Sequence, residues 1–180
     1  MVHAFTESSP MRNLSGAVVS DAVRHTAHDH TADAAVDFSQ GLPPRTVAAT
    51  AKRDVLTGDA AFSTTFRFKS NQHSLLSKYD TITNFATSDA IDARGVRSTK
   101  MIQGLDACVE ISGLNAKAIA AECCTKAVFR ANDVCAFTVA GMDGTFVVLN
   151  DRRAGFQAKQ DAVVFLSGYS VTDTQAIHIV

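Results

Sequence analysis

The amino-acid sequence predicts a mainly β protein with one α-helix. Aromatic residues stand at alternate or near-alternate positions in Phe62–Phe68, and Tyr79–Phe85 alternates in the same way, as half-buried strands do. Further short apolar or β-branched runs follow: Ala127–Phe129, Val134–Ala140, Thr145–Leu149 and Ala162–Leu166. Turn-like residues at Gly141–Gly144 and at Asn150-Asp151 separate these runs. This spacing is typical of an antiparallel meander.

One amphipathic helix is predicted between Ser112 and Cys124. Leu114, Ala118, Ile119 and Ala121 recur there at helical spacing. The Ser112 hydroxyl is expected to cap the start of this helix.

Two regions are predicted from the change in composition along the chain. Residues 1–52 contain few large apolar side chains and are rich in Ser, Thr, Ala, His and Asp, which predicts a disordered or low-complexity segment. Residues 53–180 are predicted to form the folded β domain. The first region also contains His25, His28 and His30, and histidine is a common metal ligand. We expect a solvated polar stretch that binds metal only weakly rather than a specific metal site.

The charge balance and the absence of common motifs argue against several classes of function. The chain has 17 basic and 18 acidic residues, a formal net charge of −1, so we expect no attraction to nucleic acid. No apolar run reaches the roughly 20 residues of a membrane-spanning helix, and the amino terminus lacks the layout of a cleaved leader. The common hydrolase, zinc-protease and nucleotide-binding motifs are absent, which predicts a non-enzymatic protein.

Four cysteines, Cys108, Cys123, Cys124 and Cys135, lie in a short segment without C-x-x-C spacing. The sequence therefore favours buried thiols over a zinc or thioredoxin-like site. A disulfide from Cys123 or Cys124 to Cys108 or Cys135 remains open at this stage.

The segment Asp54–Ala61, followed by Thr65–Phe68, resembles the last degraded turn of a calcium-binding repeats-in-toxin (RTX) array. In intact repeats, glycines permit tight turns, and an aspartate with backbone carbonyls holds calcium between successive coils. The segments Asp80–Phe85 and Asp89–Asp92 are similar to the flank that follows such arrays.

The stretch Thr145–Tyr169, which contains L-N-D-R-R-A-G-F-Q and then D-A-V-V-F-L-S-G-Y, is similar to the bluetail domain of bacterial surface proteins. The apolar end Ala176–Val180 matches the short tail of that family. The resemblance covers about residues 54–180.

The resemblance implies a degenerate parallel β-roll remnant near Asp54–Phe68, followed by a β-sandwich-like carboxy-terminal cap containing the helix. It also implies calcium as a ligand. The implied oxygen ligands are Asp54, Asp80, Asp89, Asp92, Asn150, Asp151 and Asp161.

Departures from the repeat pattern predict that calcium binds weakly. Asp59-Ala60 replaces the glycine pair, and Thr65 and Asn84 replace two aspartates. We therefore expect a Kd on the order of 10⁻⁴–10⁻³ M. The alternative is that the aspartates are turn residues bonded to nearby backbone, with Asn150-Asp151 a hairpin turn and Gly155 at positive φ.

The function that the resemblance implies is a secreted or cell-surface protein that leaves the cell through a type I exporter and faces the cell surface or the extracellular matrix. The alternatives are a calcium-independent adhesion or interaction module, or the inert tail of a larger secreted hydrolase. The span after Gly168, where the polar residues Thr172–Gln175 precede the apolar end of the chain, is expected to hold the export signal. The same residues are compatible with a last edge strand, with Ile177 and Ile179 on one face and His178 on the other.

Overall fold

The computed structural model describes residues 44–93, 100–103, 108–172 and 174–180, all of which belong to the compact unit Phe38–Val180. The described part is mainly β, which confirms the predicted fold class. Its strands are β1 (Arg45–Ala48), β2 (Val55–Thr57), β3 (Thr64–Phe68), β4 (Asp80–Thr83), β5 (Ala90–Ala93), β6 (Lys100–Ile102), β7 (Cys108–Ile111), β8 (Val134–Val139), β9 (Gly144–Leu149), β10 (Ala162–Ser167) and β11 (Ile177–Ile179). Short 3₁₀ turns lie at Asn71–His73 and Leu76–Lys78.

The strands form two mixed sheets. Sheet A has the order β1-β3-β5-β11-β6, and sheet B has the order β2-β4-β10-β9-β8-β7. From β1 to β5 the chain alternates between the sheets, and each strand pairs in parallel with the strand two earlier. This alternation is the winding of a parallel β-roll, and it runs from Arg45 to Ala93 rather than only over Asp54–Phe68.

The carboxy-terminal half completes both sheets. β10 pairs in parallel with β4, and β8, β9 and β10 form an antiparallel meander, as the sequence predicts. β11 lies between β5 and β6 in sheet A, so it is an inner strand and the prediction of an edge strand is wrong. Its side chains alternate as expected, with Ile177 and Ile179 buried and His178 partly exposed.

Sheet B is the middle layer of the fold. Its inner face packs against sheet A through residues such as Phe66, Ile91 and Val164, which belong to one core. Its outer face packs against the helical segment and the loops through a second core that includes Phe137 and Phe146. All six residues of β9 are buried because both faces of that strand are covered.

The predicted helix exists but is shorter than expected. α1 (Ala116–Ala118) continues into a π-helical turn (Ile119–Cys123), and the Asn115 side chain accepts a hydrogen bond from Ala118 N at 3.0 Å. Asn115 is therefore the cap, and the prediction of Ser112 is wrong. Ser112 N and Oγ donate instead to the Glu122 carboxylate, at 2.8 and 2.6 Å, and these bonds lower the pKa of Glu122.

Two other predicted elements differ from the structure. Ala127–Phe129 is a turn and not a strand, because Val128 N and Phe129 N both donate to Thr125 O. β1 lies inside the segment 1–52 that is predicted to be disordered, so that prediction is wrong for Arg45–Ala48, which pair with β3. Residues 1–43, with His25, His28 and His30, lie outside the described residues.

None of the helical segments in the described ranges has the length and apolar character that crossing a bilayer requires.

Gly58 is predicted to tolerate no larger side chain, because a Cβ there would collide with the Asn84 carbonyl oxygen and would lie 3.2 Å from Asp89 Oδ2. We expect Gly58→Ala to lower the free energy of unfolding by about 1–3 kcal/mol, as overpacking does. Urea unfolding of the full chain measures this. The matched control is Gly113→Ala, whose Cβ would meet only Asn115 Nδ2, at 3.4 Å. Equal stability of the two variants would contradict the proposed clash.

Candidate functional site

Asp80 joins two successive strands of sheet B at the point where they begin. The register places Asp80 opposite Asp54, and Asp80 Oδ1 accepts a hydrogen bond from Asp54 N at 2.8 Å. Thr81 N donates back to Asp54 O at 3.0 Å. Asp80 is completely buried, and its own N–H donates to Ser74 Oγ. The carboxyl group therefore links the coil that contains β4 to the preceding coil, which contains β2.

Asp89 performs the same task in sheet A. It directly precedes β5, and its Oδ1 accepts a hydrogen bond from Thr64 N, at the start of β3, at 2.7 Å. Its Oδ2 accepts a hydrogen bond from Ala86 N at 2.9 Å. Asp80 and Asp89 are called the coil-linking aspartates below.

The remaining aspartates of the roll have local partners. The Asp54 carboxylate accepts hydrogen bonds from Thr50 N at 2.6 Å and from Thr50 Oγ1. Asp92 Oδ2 forms an ion pair with Arg67 Nε at 2.7 Å, across a parallel pair of strands. These contacts stabilise the outside of the roll.

Asn150, Asp151 and Asp161 organise the long connection between β9 and β10. Asp161 Oδ1 accepts a hydrogen bond from Asp151 N at 2.9 Å, and Oδ2 accepts one from Gln157 N at 2.6 Å. Asn150 Nδ2 donates to Arg130 O. The prediction of a hairpin turn at Asn150-Asp151 is therefore wrong, because Asp161 closes a longer loop. The predicted positive φ of Gly155 is confirmed, at 81°.

The predicted calcium ligands do not come together as one site. Calcium takes 6–8 oxygen ligands, and here most carboxylate oxygens are occupied by backbone N–H groups. Among the buried side-chain atoms of the described residues, Asp80 Oδ2 and Asn150 Oδ1 lack a hydrogen-bond partner, and they belong to different strands and loops. Among the described residues, no three of these carboxyl groups bring their oxygens close enough to share an ion, and calcium ligation by them stays a prediction.

Burial changes the acidity of two of these carboxyl groups. Loss of solvation raises the pKa of Asp80 to about 6, against the opposing effect of the bond from Asp54 N, and the Asp54 charge raises it further. Burial likewise raises the pKa of Asp161 to about 6, although the bonds from Asp151 N and Gln157 N lower it. The pKa of each group therefore lies well above the usual range of an aspartate.

The sequence analysis did not predict that three cysteines would meet on the outer face of sheet B. Alternation along β8 places Cys135 on the same face as Phe137 and Val139, towards the helical segment. Cys123 ends the π-helical turn above that face, and Cys124 follows it. The sulfur-ligand atoms of the three residues all lie within 4.8 Å of one another. We call this group the thiol cluster.

The π-helical turn accounts for this meeting. Cys124 N donates to Ile119 O, five residues earlier, at 2.7 Å, which widens the last turn. Neighbouring residues of a regular helix point about 100° apart. Here Cys123 Sγ and Cys124 Sγ are 3.5 Å apart. Sequence spacing alone gives no signal of this arrangement, since the cluster combines an adjacent pair with a distant strand.

The three sulfurs are free thiols with unequal acidity. Cys123 and Cys124 are buried, and Cys135 is partly exposed. Hydrogen bonds from the Cys123 and Cys124 thiols lower the pKa of Cys135, and burial opposes this effect. Hydrogen bonding to Cys123 and to Cys135, together with burial, raises the pKa of Cys124. The predicted burial of the thiols is thus confirmed for Cys123 and Cys124. The side chain of Cys108 lies outside the described part.

A cavity of about 550 Å³ opens beside the thiol cluster. Its lining includes Cys124 and Lys126 on one side and Arg153 and Gly155, from the L-N-D-R-R-A-G-F-Q stretch, on the other. Phe156 N donates to Cys124 O at 3.1 Å, which attaches that loop to the cluster. A Cβ at position 155 would collide with Lys126 Cγ, so this close approach requires glycine.

No protein-family model matches the sequence, and a comparison with the curated proteins gave no match.

The buried Asp80 carboxyl group predicts a specific dependence of stability on pH. The pKa of Asp80 is higher in the folded state, about 6, than in the unfolded chain. The contribution of this group to the free energy of unfolding is therefore fully present below about pH 4 and is lost as the pH rises through 6. Between pH 4 and pH 8, we expect the free energy of unfolding of Asp80→Asn to fall less than that of the original chain, by at most about 3 kcal/mol. Urea unfolding at pH 4, 6 and 8 measures it.

The exposed residue Asp143 supplies the control, because Asp143→Asn removes one charge without removing a buried carboxyl group. Some dependence remains in Asp80→Asn, since Asp161 still titrates. A slope identical to that of the original chain would contradict the prediction.

Proposed function

We propose that the chain is a non-enzymatic, secreted and surface-associated protein of the RTX type in which calcium binding is weak or vestigial. The observation that carries the proposal is the bonding of the coil-linking aspartates. Asp80 and Asp89 each accept a hydrogen bond from a backbone N–H of the preceding coil, at Asp54 and at Thr64. Intact repeats hold calcium between successive coils, and here protein groups link the coils directly.

The energetics support a roll that is stable without an ion. A hydrogen bond contributes about 0.5–1.5 kcal/mol net, and Asp80 and Asp89 each accept one from the preceding coil. At Asp80, burial of the negative charge offsets part of this contribution above about pH 6. The Asp92–Arg67 ion pair adds a further link between β3 and β5. The roll therefore has its own means of holding successive coils in register.

A calcium-independent interaction module is the second candidate, and a different observation favours it. Among the described strands, β6 ends sheet A and β7 ends sheet B, and each exposes a large apolar side chain, Met101 and Val109 respectively. Edge strands present backbone groups that can pair with another chain. Such edges suit a binding partner in the extracellular matrix or on a cell surface.

Calcium titration separates strong from vestigial binding. We expect the full chain to keep its β-type circular dichroism in a chelator, because the coil links are made of protein groups. With a Kd of 10⁻⁴–10⁻³ M, 10 mM calcium would add only about 1.4–2.7 kcal/mol to the free energy of unfolding. Folding that requires calcium, or a micromolar Kd in calorimetry, would contradict this part of the proposal.

Secretion is tested in a host that carries a type I exporter. We expect removal of residues 173–180 to stop export, and a passenger fused to residues 121–180 to be exported, because the exporter reads the end of an unfolded chain.

Loss of β11 also disrupts sheet A, so the truncation needs a control that unfolds the protein and keeps its tail. Phe66→Asp serves, because Phe66 is completely buried in the core between the sheets. We expect this variant to be exported. Normal secretion of the truncated chain would overturn the proposed localisation.

A further inference from the structure

We propose that Cys123, Cys124 and Cys135 form a binding site for a thiophilic metal ion, and that the ion is Cu(I) bound by three thiolates. This site is independent of the proposed secretion and calcium binding. Within the ranges 44–93, 100–103, 108–172 and 174–180, the thiol cluster is the one group of three metal-ligating side chains close enough to share an ion.

The distances fit a three-coordinate ion. Metal–thiolate bonds are about 2.3 Å long, so an ion in the plane of three sulfurs separates them by about 4 Å. Cys123 Sγ and Cys124 Sγ are 3.5 Å apart, and the ligand atoms of all three residues lie within 4.8 Å of one another. Changes of at most about 0.8 Å in these separations would complete the geometry.

The ligand set selects a soft ion with a low coordination number. Thiolates favour Cu(I), zinc and iron–sulfur clusters over hard ions such as calcium and magnesium. Structural zinc sites take four protein ligands, and no fourth His, Cys, Asp or Glu from the described residues joins this group. Cu(I) is stable with three sulfur ligands, and thiolates are the ligands that select it.

The fold holds the ligands before any ion arrives. The π-helical turn is fixed by the bond from Cys124 N to Ile119 O, and the Cys124 carbonyl is held by Phe156 N. Cys135 is fixed by the pairing of β8 with β9, where it lies opposite Val148. A site that is already ordered loses little conformational entropy when it binds.

The neighbouring cavity places positive charges beside the thiol cluster. Cys124 lines the cavity together with Lys126 and Arg153, whose positive charges offset the net charge of −2 that one Cu(I) and three thiolates carry. Binding breaks the S–H bond of each protonated thiol and forms a copper–sulfur bond, and the protons pass to solvent. Copper stays in the +1 state throughout, so the step needs no oxidant or reductant.

The experiment is anaerobic titration of the reduced, full-length Cys108→Ser chain with Cu(I) supplied as its acetonitrile complex, in competition with a chromophoric Cu(I) chelator. We expect uptake of one copper ion per chain, three sulfur neighbours in the X-ray absorption spectrum, and a higher Tm. Cys135→Ser in the same background is expected to lose the uptake, because Cys135 is a ligand.

Circular dichroism of each variant establishes whether it is folded. If a variant unfolds, copper uptake by the unsubstituted chain still tests the proposal. Absence of uptake by the reduced, folded chain would overturn the proposal. Unchanged uptake in folded Cys135→Ser would overturn the ligand assignment, as would loss of uptake in Cys108→Ser alone. Tighter binding of Zn(II) than of Cu(I), measured in the same chain, would overturn the choice of ion.

Discussion

The double-sided burial of sheet B is the constraint on which the rest of the structure depends. Because sheet A covers one face and the helical segment with its loops covers the other, every residue of β9 is removed from water. Apolar burial contributes about 25 cal/mol per Å², so such a strand anchors both cores at once. Sheet A on one side and the thiol cluster on the other are therefore supported by the same strands.

Aspartates at the ends of strands solve one physical problem in three places. A strand that begins inside a packed structure has backbone N–H groups that need acceptors, and a buried carboxylate can supply them. Asp80 and Asp89 do so for the coils, and Asp161 does so for the loop after β9. Burial of these groups has a cost, seen in the raised pKa of Asp80 and Asp161. In our proposal this bonding replaces most of the role of calcium.

The loop after β9 connects the architecture with the proposed metal site. Asp161 closes the loop, Gly155 permits its close approach to Lys126, and Phe156 N binds the carbonyl of Cys124. The L-N-D-R-R-A-G-F-Q stretch thus has a structural explanation that does not require a ligand. The same stretch forms one wall of the cavity beside the thiol cluster.

The sequence by itself determined the β class, the meander β8–β10 and the alternation of β3, where Phe66 and Phe68 are buried, because alternation along a strand is a local property that burial of one face imposes. It also located the helix, although the choice of Asn115 over Ser112 as cap depended on Glu122, ten residues beyond Ser112. Only the tertiary structure decided that β11 is an inner strand, that the aspartates bond to the preceding coil and that three cysteines meet. Each of these involves partners far apart in the chain, and their distances follow from packing and strand register, which no local pattern encodes.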